Sequence, residues 1–275
     1  MTIPLVGRVD APDLHVMTFN VRRRLAFPTW PLADRWSVRR PRVEALLSRE
    51  RPTILGAQEV MPDQAIVMRD ALGGSYRFVG HGRRTGPRGE GCPVFYDDDR
   101  LELLEWRQTA LSDRPDQPGS TSWGNVIPRV AVQARFRDRV TSREVVVINT
   151  HLDVFSARSR HRAAEELRRT VIGQSQPVVL LGDLNAGPTS LPWGALRAGD
   201  ALSDAWTTAD ERLSPEWGTY GGYRPPRPGR RIDAILVSPR VQVRRAVINT
   251  HRVDGGWPSD HFPVQAVMRL TRTAR

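Results

Sequence analysis

Apolar residues recur along this chain in two rhythms. Mainly apolar runs over 14–19, 53–57 and 177–181 predict buried strands. Residues 76–79, 92–96 and 101–106 read as further strands. Runs 130–136 and 144–149 flank a charged turn and predict an antiparallel pair. Runs 232–237 and 241–248 are expected to pair in the same way, ahead of a last strand over 262–270. Helical spacing governs 37–49, where Val38, Val43, Leu46 and Leu47 recur among charges and Ser37 stands ready as a cap. It returns in 64–72 and 159–172.

Helices mixed with antiparallel pairs argue against a simple Rossmann alternation. Neither a Gly-rich dinucleotide fingerprint nor a Walker lysine motif is present. No Ser/Gly-rich linker divides the chain, which reads as a tail over 1–13 and a single domain over 14–271. Ile-Asn-Thr-His occurs at 148–151 and again at 248–251, a four-residue repeat that hints at two similar halves. Segments 81–91, 112–128 and 207–231 read as variable surface loops. Trp123, Trp217, Tyr220 and Tyr223 lie in them, placed either to stack a base, to cover a lipid or to cap the loops.

Composition narrows the setting. At 275 residues the chain is long enough to bury a large core. No stretch approaches the roughly 20 apolar residues of a membrane span, so no integral membrane association is expected. The N-terminus lacks a basic start followed by an apolar run, and the single Cys92 excludes an intrachain disulfide. Both fit a monomeric cytoplasmic protein. The net charge of +11 comes from 41 basic and 30 acidic residues, a balance that favours an anionic partner such as nucleic acid or a phosphorylated lipid head. Every basic residue is Arg and the arginines are spread evenly, so biased composition is a second source of the charge.

Polar residues cluster where strands end. Asn20, Glu59, His151, Asp183 with Asn185, and Asp260 with His261 all sit at the rim of an apolar run. Loops at such rims build the sites of α/β proteins. Carboxylate and amide oxygens are the donors that Mg²⁺ prefers. His15, His81, His161 and His251 have no such surroundings and read as structural or surface residues, and Cys92 reads as core.

Seven segments in order, MTFNVR, GAQEV, GEGCPVFY, NTHLD, GDLNAGP, RIDAILVS and SDHFPV, resemble the signature of the endonuclease/exonuclease/phosphatase superfamily, the group of deoxyribonuclease I. The resemblance runs from about residue 14 to 270. It implies a four-layer α/β/β/α sandwich of two mixed, mostly antiparallel sheets. It also implies hydrolysis of phosphate esters dependent on Mg²⁺ or Mn²⁺, most simply a phosphodiesterase or nuclease. Glu59 matches the principal metal ligand and Asn20 the neighbouring amide. Asp183 matches the residue that activates water, and Asn185 its partner on the phosphate or a second metal. Asp260 matches a carboxylate at the metal, His261 a histidine on the phosphate, and Asp233 the carboxylate that orients it. His151 matches a second histidine with Glu90 as its orienting carboxylate, and Arg129 a phosphate-contacting arginine. A phospholipid or inositol-phosphate phosphoesterase is the enzymatic alternative, and an inactive nucleic-acid-binding scaffold the other. The inositol-phosphatase form of the Asp233 segment is absent, and Asn20-Val21-Arg22 stands where apurinic enzymes have Asn-Val-Asp.

Overall fold

A computed structural model describes residues 3–25, 30–86 and 88–271; residues 1–2 of the expected tail and Pro87 of the 81–91 segment lie outside it. In chain order the elements are β1 (Asp13–Asn20), α1 (Trp36–Glu50), β2 (Ile54–Gln58), α2 (Pro62–Leu72), β3 (Tyr76–Val79), β4 (Gly82–Arg84), β5 (Arg88–Gly91), β6 (Val94–Asp97) and β7 (Leu101–Ala110). They continue with β8 (Val130–Asp138), β9 (Glu144–His151), α3 (Ala157–Ile172), β10 (Val178–Asp183), α4 (Leu191–Arg197), β11 (Ser203–Asp204), α5 (Ala205–Thr208), β12 (Glu211–Arg212), β13 (Asp233–Val237), β14 (Val241–Ile248) and β15 (Val264–Leu270). One sheet runs β12-β14-β15-β1-β2-β6-β3 and the other β11-β13-β10-β9-β8-β7, both mixed. The pairs β1–β2 and β9–β10 are parallel, so the ends of β1 and β2 lie side by side in one sheet and those of β9 and β10 in the other, and Asn20 at the end of β1 meets Asp183 at the end of β10.

Strand periodicity builds the layers. In β1, Leu14 and Val16 enter the core between the sheets, while Met17 and Phe19 face α1 and α2. In β9, Val145 and Val147 point to the facing sheet, while Val146 and Ile148 pack on α3. Both faces are covered, which is why these runs are mainly apolar, with buried polar residues such as His15, Thr18 and Asn149 held by hydrogen bonds. The result is the expected four-layer α/β/β/α sandwich.

The sheets approach closest behind the site. A Cβ on Gly56 would lie 1.7 Å from Leu181 Cδ1, so glycine there lets β2 meet β10. Beside it the buried Asn149 amide donates to the carbonyls of Ala57, Cys92 and Pro93 at 2.9–3.0 Å. Its oxygen accepts from Gln58 Nε2 at 2.7 Å. This polar bridge ties β9 of one sheet to β2 and the entrance of β6 in the other.

Several expectations are corrected. β13 and β14 do not pair; they lie in different sheets, β13 against β10 and β14 against β15. Two consecutive apolar strands look alike in sequence whether they form a hairpin or cross between sheets. Segment 81–91 holds the hairpin β4–β5, with Arg83 and Glu90 buried. Ser37 lies inside the first turn of α1, whose cap position is Arg35 with no side-chain cap bond. The described tail is docked: the amides of Leu5, Val6 and Gly7 donate to the Glu50 carboxylate. The repeated tetrapeptide marks no matched halves, since His151 is buried at the β9 rim whereas His251 is exposed beyond β14.

Candidate active site

The strand ends converge on a cavity of about 450 Å³, lined among others by Arg22, Glu59, Glu90, Arg129, His151, Asp183, Asn185, Tyr220, Asp260 and His261. Three site residues outside glycine hold left-handed backbone: Arg22 (φ 58°), Glu59 (φ 60°) and Asn185 (φ 48°). Each follows a strand end, and turning the chain back at the rim aims these side chains into the cavity at a conformational cost.

Asp183 stands at the centre. Its Oδ2 accepts from Asn20 Nδ2 at 3.0 Å, and its Oδ1 accepts from the Asn185 amide at 2.9 Å. His151 Nε2 and His261 Nε2 lie 3.6 and 3.8 Å from Oδ2. Burial and the nearby Asp233 charge push its carboxyl up to about 7, against the pull of His261. A carboxylate poised there suits a general base near neutral pH.

The two imidazoles differ sharply. His261 Nδ1 donates to Asp233 Oδ2 at 2.9 Å. Burial opposes its charge, yet Asp233, Asp183 and Asp260 outweigh burial and hold it well above the ordinary histidine range. His151 is held well below that range by burial and by Arg129, Arg83 and His261. The site therefore presents one imidazolium and one neutral imidazole. The expected His151–Glu90 pair is not formed. Asn185 Nδ2 donates to His151 Nε2 at 3.0 Å, and His151 Nδ1 has no partner among the described residues. Glu90 instead pairs with Arg83 at 2.7 Å and Arg23 at 3.2 Å. Those guanidinium groups compete for the carboxylate with full charges, which a neutral imidazole cannot match.

Arg129 is buried, ion-paired through Nε with Asp153 at 3.3 Å, and its Nη1 is unpartnered. Asp153 also accepts from the amides of Phe155 and Ser156, so it fixes both Arg129 and the loop beyond β9. It sits two residues after His151, and that proximity was its only signal in sequence. Segment 207–231 is no mere surface loop. Thr219 is fully buried; its hydroxyl accepts from the amides of Ile232 and Asp233, and its carbonyl accepts from Phe262 N. It thereby clamps Asp233 and His261 on one frame. Of the four candidate aromatics only Tyr220 lines the cavity, its ring centroid 5.1 Å from that of His261. Trp123 is buried on Asp113, and Tyr223 donates its hydroxyl to Asp34 at 2.6 Å.

Among the described residues, Asp183, Asp233 and His261 bring donor atoms within 4.8 Å of one another, a spacing that suits a metal. Asp233 and His261 spend their facing atoms on each other, and a charged imidazole is no ligand. Glu59 and Asp260 fit a divalent ion better. Both are largely buried carboxylates on the cavity, and Asp260 is pushed up by burial and by the Glu59 charge, opposed by His261. Asn20 orients the carboxylates instead of adding a ligand: its Nδ2 donates to Glu59 Oε1 at 3.3 Å and to Asp183, and its oxygen accepts from the Arg22 amide. Hard oxygen donors in a crowded anionic pair are what Mg²⁺ or Mn²⁺ takes.

No helix among the described residues is long and apolar enough to cross a membrane. The chain is similar to solved proteins over nearly its full length. An endonuclease/exonuclease/phosphatase family protein of Bacteroides thetaiotaomicron is 28% identical, with a TM-score of 0.87 over 95% of this chain and 96% of that one. A mannosyl-6-phosphatase of the same organism is 29% identical, with a TM-score of 0.84 over 93% and 99%. Protein angel of Drosophila melanogaster is 31% identical over 167 residues, which is 57% of this chain and 46% of that protein. The chain thus spans under half the length of that relative. The Endonuclease/Exonuclease/phosphatase family matches residues 17–261, and the chain belongs to that family of hydrolases acting on phosphate esters with divalent metal ions.

Proposed function

We propose that this protein is a Mg²⁺- or Mn²⁺-dependent phosphodiesterase, and that nucleic acid is its substrate. The observation that carries the reading is Asp183 held near neutral pKa between a neutral and a charged imidazole, beside the Glu59–Asp260 pair. Asp183 orients a water in line with the scissile bond and accepts its proton. The water oxygen bonds to phosphorus, and the ester oxygen leaves with the bonding electrons and takes up a proton. His261 and Arg129 place positive donors against the non-bridging oxygens, where charge builds. His151 and Asn185 hold the neutral side of the phosphate site. Glu59 and Asp260, oriented by the Asn20 amide, would hold the divalent ion, which supplies Lewis-acid neutralisation of the phosphoryl group. The surplus of arginine supports an anionic polymer as partner.

A second reading, hydrolysis of a sugar phosphate monoester, is favoured by the similarity to the mannosyl-6-phosphatase. A metal-supplemented screen separates the two. Bis-p-nitrophenyl phosphate, single-stranded DNA, RNA, p-nitrophenyl phosphate and hexose 6-phosphates are compared, with Asp183→Ala as control. Turnover of polymer and diester that falls steeply with salt supports the first reading. Turnover confined to monoesters refutes it and supports the second.

A further inference from the structure

Arg22 occupies an unusual place. Its Nε and Nη2 grip Asp34 at 3.1 and 3.3 Å. The same guanidinium lies 3.8 Å from Glu59 Oε2 through Nη1 and 3.8 Å from Asp260 Oδ2 through Nε. Nη1 makes no hydrogen bond among the described residues. The side chain is half-buried and lines the cavity. Asp34 is itself fixed by the Tyr223 hydroxyl at 2.6 Å. Arg39 ties down the surrounding backbone, donating to the carbonyls of Asp34 and Val21.

We infer that Arg22 is a built-in counter-ion that holds Glu59 and Asp260 together in the metal-free protein and competes with the divalent cation for them. This rests on the metal reading above. Two largely buried carboxylates facing one cavity repel each other; His261 offsets much of the Asp260 charge, and Arg22 is the strongest attractive charge on Glu59 and a second one on Asp260. A guanidinium at 3.8 Å from both is close enough to attract them, yet too far to be locked by hydrogen bonds. Its firm contacts go to Asp34, so it stays close to the acidic pair without closing on it. An incoming cation therefore displaces an attraction and meets a fixed positive charge. Its affinity is lower than the carboxylates alone would give. Arg22 is a positioning residue here, acting through Glu59 and Asp260.

The test is Mn²⁺ titration of the full chain by calorimetry, with melting temperature read with and without metal. Arg22→Met and Arg22→Gln remove the charge, Arg22→Lys keeps it, and Glu59→Gln reports whether the metal binds there. Arg22→Met and Arg22→Gln should bind Mn²⁺ on the order of tenfold more tightly, because a unit charge at this range remains costly even with partial screening. Their metal-free melting temperature should fall and their Mn²⁺-induced rise should exceed that of the unmodified protein. Arg22→Lys should keep the original affinity within about threefold. Two results overturn the inference alone while Glu59→Gln abolishes binding: folded Arg22→Met and Arg22→Gln with unchanged or weaker affinity, or Arg22→Lys tightening as much as Arg22→Met. Mn²⁺ binding unaffected by Glu59→Gln overturns the metal reading, and the inference with it.

Discussion

Replacing Asp233 by Asn removes one charge and almost no volume. The carboxylate oxygen facing His261 lies 2.9 Å from Nδ1, and both side chains are buried. The other oxygen has no hydrogen-bond partner among the described residues, so the incoming amide nitrogen forfeits no described bond. A unit charge at that distance, in an effective dielectric of about 20, is worth about 6 kcal/mol to the imidazolium. Each unit of pKa corresponds to about 1.4 kcal/mol. Asp183 and Asp260 remain to favour the charged form, but burial opposes it. His261 should therefore drop from well above neutral into or below the neutral range. A lowered pKa means the imidazolium is lost as pH rises, so the variant should acquire an alkaline decline that the unmodified protein lacks. At neutral pH kcat/KM should fall by about 10²–10⁴. The assay is bis-p-nitrophenyl phosphate hydrolysis across roughly pH 6 to 9 at saturating metal, with circular dichroism to confirm the fold. A profile parallel to that of the unmodified protein, with less than about tenfold loss, refutes the assigned role of Asp233.

Two further outcomes concern the frame that carries the site. Asn149→Leu should destabilise the protein by about 3 kcal/mol, because three buried carbonyls lose a donor, although Pro93 keeps the Ala57 amide and Gln58 keeps Thr18 and the Gly56 carbonyl; urea denaturation checks this, and a change below about 1 kcal/mol contradicts the bridging role. His15 is fully buried on the Gly7 carbonyl, and burial, opposed by Glu50, lowers it from 6.5 to about 4. The unfolded chain binds the proton more readily, so stability present above the unfolded value is lost as pH falls towards 4. The span is worth about 3 kcal/mol, and urea midpoints at neutral and acidic pH, flatter in His15→Gln, report it.

What could be read from the sequence and what could not divide along physical lines. Asn20, Asp183 and Asp260-His261 are legible because polar residues with ligand chemistry stand where an apolar run stops or, for Asp260-His261, just before one begins, and the fold brings them to one cavity. The Asp233–His261 pair was legible only through the family resemblance, since 28 residues separate them. The pairing of β13 and β14 was misread because adjacency in sequence says nothing about which sheet receives each strand. Glu90 was assigned to His151 in ignorance of Arg83 and Arg23, whose approach depends on the β4–β5 hairpin. Thr219 gave no signal at all: its role lies in three backbone contacts, which no side-chain pattern announces. Arg22 was visible only as a departure from another branch of the family.

In the proposed reaction Asp183 activates water and a divalent ion is needed at Glu59 and Asp260. The most direct test of this mechanism is phosphodiester hydrolysis after EDTA treatment, followed by Mg²⁺ or Mn²⁺ addition, in the unmodified protein and in Asp183→Asn. Activity should vanish in EDTA, return with metal in the unmodified protein, and stay about 10²-fold or more lower in Asp183→Asn at every metal concentration. Full turnover in EDTA, or an Asp183→Asn variant as active as its parent, would contradict it.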